Sequence, residues 1–186
     1  MAPTKSLVAL AVLVVGLQGT SASLPQAEAI TDPDAYSIYR TLLPRMWRNH
    51  SKDPILLVIE TEPIDLSCTP PNPPPEWQEV EKDFKKQNAT TRHLLPTIQL
   101  EVPYRFIPRA EIAADDARLE KLYPGIWQRR PDSLEFIAVS AVGFNAAKTK
   151  AMVYVRMRSS GDVHSMERQG EQWVGAKSRG VCGWIA

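Results

Sequence analysis

The chain has 186 residues, with 22 lysines and arginines set against 21 aspartates and glutamates. That balance excludes a nucleic-acid binder driven by counterion release, which needs a clustered surplus of cations. Five tryptophans and five tyrosines in a chain that is 44% apolar exclude a disordered polypeptide.

The first 22 residues have the layout of a secretory signal peptide. Lys5 supplies the positive start, residues 7–17 form a nearly unbroken apolar run, and Thr20, Ser21 and Ala22 offer small residues for cleavage. The run is shorter than the roughly 20 residues needed to cross a ~30 Å hydrocarbon core, so no membrane anchor is expected after cleavage. No cysteine stands at the cleavage region, which excludes a lipoprotein signal. Residues 23–186 then form a single domain, long enough to bury a core, in a secreted or periplasmic setting. Such a compartment permits a disulfide between Cys68 and Cys182. On the chain-entropy account it would stabilise the fold by up to ~4–5 kcal/mol. The alternative is two separate buried thiols, with Cys182 packing as a small apolar residue in a strand. Neither cysteine has a second cysteine or a histidine at ligand spacing, so no metal site is expected.

Within the domain, residues 31–48 place Tyr36, Tyr39, Leu42, Leu43, Met46 and Trp47 on one helical stripe. Thr31 or Asp32 can cap it and Pro33 fits its first turn, while Pro44 is expected to end or kink it. Residues 55–60 (ILLVIE) read as a buried strand, and the proline-rich stretch 69–75 as a stiff extended connector. Residues 76–87 are helical through Trp77, Val80 and Phe84, with acids early and lysines late, in keeping with the helix dipole. Residues 98–107, interrupted by Pro103, predict a short edge strand or an extended loop. Residues 109–123 predict another helix, stopped by Pro124 and Gly125.

The last third is strand-rich. Residues 134–144 and 150–158 form one hairpin across the polar segment 145–149. In the second run Ala151, Val153, Val155 and Met157 share one face, and Met152, Tyr154 and Arg156 the other. Residues 163–168 and 172–176 form another hairpin, and 181–185 a last strand. Helices first and antiparallel strands afterwards define an α+β fold, with N-terminal helices packed on a C-terminal antiparallel sheet. A cone-shaped sheet of the cystatin-like or nuclear-transport-factor-like kind fits this order by analogy of layout.

The residues that carry chemistry are scattered. His50, His93 and His164 have no partner at metalloprotease spacing, and no nucleophile elbow, phosphate loop or dinucleotide fingerprint occurs. No cofactor is therefore expected. Glu60 and Glu62 share a strand face if the strand continues, as acid–base work on a glycoside would require; solvated residues at a strand end are the simpler expectation. Asp115 and Asp116 point apart if helical. From Lys148 onward the chain is mildly basic, as a solvated sheet face would be. Trp127 with Arg129 and Arg130 forms the candidate exposed binding patch, since rings and planar cations together favour ligands.

The string Ser140-Ala141-Val142-Gly143-Phe144-Asn145, then Thr149 and Ala151-Met152-Val153-Tyr154-Val155, is followed by Trp173 and Gly183-Trp184-Ile185-Ala186. Together these residues resemble a group of exported bacterial proteins of uncharacterised function with a C-terminal "VGFN…T.A.VYV…W…WI" core. Tyr36-Ser37-Ile38-Tyr39 and the LLVIE strand are similar to the front of the same group. The resemblance implies a fold pattern and carries no activity. Relatives tend to have a glycine-rich hairpin, often with cysteines, after the VYV strand; here residues 159–164 lack cysteine and have less glycine. In a bacterial exported protein the sequons at Asn49 and Asn88 would stay unmodified. Gly143 suits a bulge or close backbone approach, and Asn145 suits a turn, so the string is expected to be structural.

The sequence thus points away from catalysis and towards a binding or interaction module, with a protein, peptide or carbohydrate partner. The competing readings are a small secreted hydrolase drawing acid–base groups such as Glu60 or His164 into a deep pocket, and an inhibitor or immunity-type protein.

Overall fold

The computed structural model describes residues 27–47, 53–64, 73–124, 133–176 and 182–185, with the backbone alone for Cys182, Trp184 and Ile185. Helix α1 spans Pro33–Trp47, followed by strand β1 (Ile55–Val58), α2 (Pro75–Gln87), β2 (Tyr104–Ile107) and α3 (Arg109–Leu122). Six strands complete the chain: β3 (Ile137–Val139), β4 (Gly143–Phe144), β5 (Lys150–Met157), β6 (Ser160–Gln169), β7 (Gln172–Gly175) and β8 (Cys182–Ile185). The fold is α+β, with one sheet in the order β2-β1-β3-β5-β6-β7, β4 beside β5 and β8 beside β6.

The C-terminal strands pair antiparallel, as alternation and turn chemistry dictate. The β6–β7 turn places Gly170 at φ 62, the left-handed region that a side chain disfavours. The front strands differ. β1 lies parallel to both β2 and β3, so the sheet is mixed rather than antiparallel throughout. The reason is connection: α2 separates β1 from β2 and α3 separates β2 from β3, and a helical crossover returns the chain to the same end of the sheet.

Both sheet faces are covered. Tyr39, Leu43 and Trp47 of α1 pack on Ile55, Leu57, Ile137, Val139, Ala151, Val153 and Val155. On the opposite face Trp77, Val80 and Phe84 of α2 meet Met152, Tyr154 and Val163, while Ile112 of α3 meets Val58, Ile107, Phe136 and Ala138. The two faces of β5 therefore fall in two cores, which explains why its sequence is apolar at nearly every position.

Helix α1 starts where expected, its Asp34 N–H donating to the Asp32 carboxylate at 3.0 Å. It does not end at Pro44 but continues to Trp47. One lost backbone bond is outweighed by burial of Leu43 and Trp47, whose indole N–H donates to the Asp53 carbonyl at 3.0 Å.

Candidate functional site

The run 134–144 follows β5 as two pieces, because three residues, Ser140, Ala141 and Val142, oppose only Val153 and Tyr154. This is a bulge, and its buried backbone needs partners. The Ser140 carbonyl accepts the Tyr39 hydroxyl at 2.8 Å, and the Ser140 hydroxyl accepts the Tyr154 N–H at 2.8 Å. Asn88, just past α2, accepts the Ala141 N–H at 2.8 Å and donates to the Ala141 carbonyl at 2.9 Å. Asp83 accepts the Phe144 N–H at 2.8 Å. Gly143 lets α2 come this close: a Cβ there would lie 2.3 Å from the Phe84 backbone. Asn145 accepts the N–H groups of Thr149 and Lys150, both at 2.8 Å, and closes the β4–β5 turn. Ala141, Gly143 and Phe144 are thus engaged in docking α2 onto the sheet.

That docking leaves an open groove of about 670 Å³ between the start of α1, the second half of α2 and the β4–β5 turn. Phe144 and Ala146 line it, with Lys82, Lys86 and Glu79 on the α2 wall and Asp32 and Lys148 opposite. Lys148 stands at φ 48, and its ammonium bonds Asp32 at 2.8 Å and Asp34 at 3.4 Å. The Asp32 bond holds the ammonium protonated above its ordinary range, partial burial opposing and Asp34 adding to the effect. A smaller cleft of about 180 Å³ adjoins the groove, sharing Asp32, Gln87 and Phe144, and reaches Arg92 and Glu28.

The carboxylates singled out by spacing are held elsewhere, by arginines. Glu62 is buried rather than solvated. Arg109 donates to it at 2.6 Å and Arg156 at 2.7 Å, from opposite ends of the carboxylate. Glu60 accepts the backbone N–H of Arg109 at 2.8 Å, at the first turn of α3. One guanidinium, Arg158, spans both adjacent aspartates, at 2.7 Å to buried Asp115 and 2.6 Å to exposed Asp116. Burial pushes the Asp115 carboxyl up. The Leu134 N–H, Arg118 and Arg158 pull it further down, so it sits below the usual aspartate range. Glu62 and Asp115 each have both carboxylate oxygens engaged as acceptors, which suits structural pairing.

Among the histidines, His93 carries backbone bridges to Ala29 and Glu60. His164 faces the α1 side of the sheet beside Val153, with its Nε2 buried and unpaired. Burial holds this imidazole below its ordinary value, with Asp162 opposing. Trp47, Trp77 and Trp173 are core residues. His50, Cys68, Trp127, Arg129 and Arg130 lie outside the described residues, as do residues 1–22 and the Cys182 side chain. The groove is not legible from spacing, because its walls come from segments at least 47 residues apart. The one local signal is the i, i+4 pair Lys82 and Lys86. Comparison of the chain with protein families, with curated proteins and with solved structures finds no match.

Proposed function

We propose that the protein is an exported, non-catalytic binding module, released from its leader into the periplasm or the exterior, with the α1/α2/β4–β5 groove as its contact surface. It would take a protein, peptide or carbohydrate partner there, without a cofactor. The observation that carries this reading is how the charged groups are used. Glu62 and Asp115, buried carboxylates of the kind acid–base work needs, are each ion-paired with two arginines. The groove, by contrast, combines a shaped surface with lysines left open to solvent. Binding needs complementary shape and charge and no proton-transfer group, and the groove offers those. The likeness of the C-terminal string to exported bacterial proteins supports the same setting.

Two assays test it. The mature chain, residues 23–186, is expected to retain a partner from the exterior or periplasmic fraction, and charge reversal in the groove is expected to release it. Turnover of an ester, peptide or glycoside by that chain, abolished by one polar substitution, would refute the reading. Recovery of the native polypeptide from the cytosol with Met1 attached would refute the export half.

A further inference from the structure

We propose that the Asn88-Ala89-Thr90 sequon is a closed modification site: a glycan on Asn88 and the docking of α2 on the sheet exclude each other. The triplet is an acceptor for N-linked sugar by sequence, and Ala89 and Thr90 are exposed. The asparagine side chain, however, is turned into the fold. Its Nδ2 donates to the Phe84 carbonyl at 2.8 Å, one turn back in α2, and to the Ala141 carbonyl at 2.9 Å, in the bulge. Its Oδ1 accepts the Ala141 N–H at 2.8 Å.

An amide nitrogen carries two hydrogens, and both are committed. Phe84 and Ala141 are buried, so neither hydrogen points to solvent. Sugar transfer joins Nδ2 to the anomeric carbon of a lipid-linked oligosaccharide diphosphate. The bond from that carbon to the diphosphate oxygen breaks, the diphosphate leaves with the electron pair, and one Nδ2 proton passes to a base of the transferase. The product keeps a single N–H. One buried carbonyl then loses its donor, and a pyranose ring has to enter a gap spanned by one hydrogen bond.

Helix α2 cannot yield at Asn88 alone. The Phe144 N–H bond to Asp83 and the close approach of Gly143 to the Phe84 backbone fix the same stretch of helix at the same spacing. Making room for a sugar therefore lifts the end of α2 from the bulge, uncovers the fully buried Phe84 and removes one wall of the groove. The consequence depends on order. A chain glycosylated before folding cannot seat α2, and a chain that folds first presents no acceptor nitrogen.

The test is expression of residues 23–186 behind a secretory leader in a host that attaches N-linked sugar. A second sequon, Gln169→Asn/Glu171→Thr, is placed in the exposed β6–β7 turn to report transferase activity on the same chain. Peptide mapping by mass spectrometry is expected to find sugar at residue 169 and bare Asn88 in soluble, secreted protein. Chains glycosylated at Asn88 should appear only in retained or aggregated material. Soluble protein with sugar on Asn88 and the circular dichroism and urea midpoint of the bare chain would overturn the proposal. Two variants made without glycosylation test the same contact. Asn88→Asp replaces both donors by an acceptor facing two carbonyls, and is expected to lower the urea midpoint by more than about 1 M. Thr90→Ala destroys the sequon while touching none of these bonds, and should leave the midpoint unchanged. If Asn88→Asp matches the parent, the amide is not what seats α2 and the proposal falls; if the host leaves both sequons bare, this pair of variants decides alone.

Discussion

Gly143→Ala is the sharpest test of how α2 docks on the sheet. The added Cβ would lie 2.3 Å from Cα and N of Phe84 and 2.5 Å from its Cβ. Ordinary contact begins near 3.4 Å, and two of these three atoms are backbone that no rotamer change can move. Helix α2 must therefore retreat from β4 by about 1 Å. Overpacking of this kind costs about 1–3 kcal/mol. The retreat also stretches the Asp83–Phe144 bond and the Asn88–Ala141 pair, each worth about 1 kcal/mol net. A loss of roughly 3–5 kcal/mol is expected, a large share of the 5–15 kcal/mol typical of a domain. Urea denaturation of residues 23–186 should show the midpoint falling by about 2 M at a slope near 2 kcal/mol/M. Gly175→Ala is the matched control, since an added methyl there would meet nothing within 4 Å and the backbone φ is ordinary; it should stay within about 0.5 kcal/mol of the parent. If Gly143→Ala behaves like the control, close approach of α2 is not what the glycine provides.

Glu62→Gln removes the charge shared by Arg109 and Arg156. Those side chains are 37% and 32% exposed, so water relieves them in part and about 2 kcal/mol is expected rather than the 3–5 of a fully buried pair; a midpoint shift below a quarter of that would contradict the geometry. His164 has a folded pKa below its unfolded value, so the unfolded chain takes up a proton that the folded chain refuses. Stability should be full at neutral pH and fall as pH drops below about 6.5, by at most ~1.4 kcal/mol per pH unit; His164→Gln should flatten that slope, and an unchanged slope would count against burial as the cause. Asp115 works at lower pH. Its depressed value contributes stability above the unfolded aspartate value near 3.9, lost as pH falls through the folded value. Asp115→Asn should therefore be less stable at pH 7 and show a shallower acid limb, measured by thermal melts from pH 2 to 5.

Local pattern carried much of the architecture. The stripe through Trp77, Val80 and Phe84, with acids early and lysines late, was enough to place α2, which starts at Pro75, one residue before the expected Glu76. The alternation in β5 divided Ala151, Val153 and Val155 from Met152 and Tyr154, and these fall in two different cores. Pro44 does not stop α1, because the cost of one missing bond is local while the gain from burying Trp47 is not. Glu60 and Glu62 were legible as a pair on neighbouring positions, yet nothing near them announced burial. Their arginines arrive from 47 and 94 residues away.

By itself, then, the order of residues determined the type and place of most elements, the α+β class and the turn chemistry, since each depends on neighbours within a few positions. Tertiary structure alone decided the parallel pairing of β1, the partners that satisfy the bulge at Ser140, and the walls of the groove. Those depend on which distant segments meet, and hydrogen bonds such as Tyr39 to Ser140, 101 residues apart, leave no period in the chain for a reader to find.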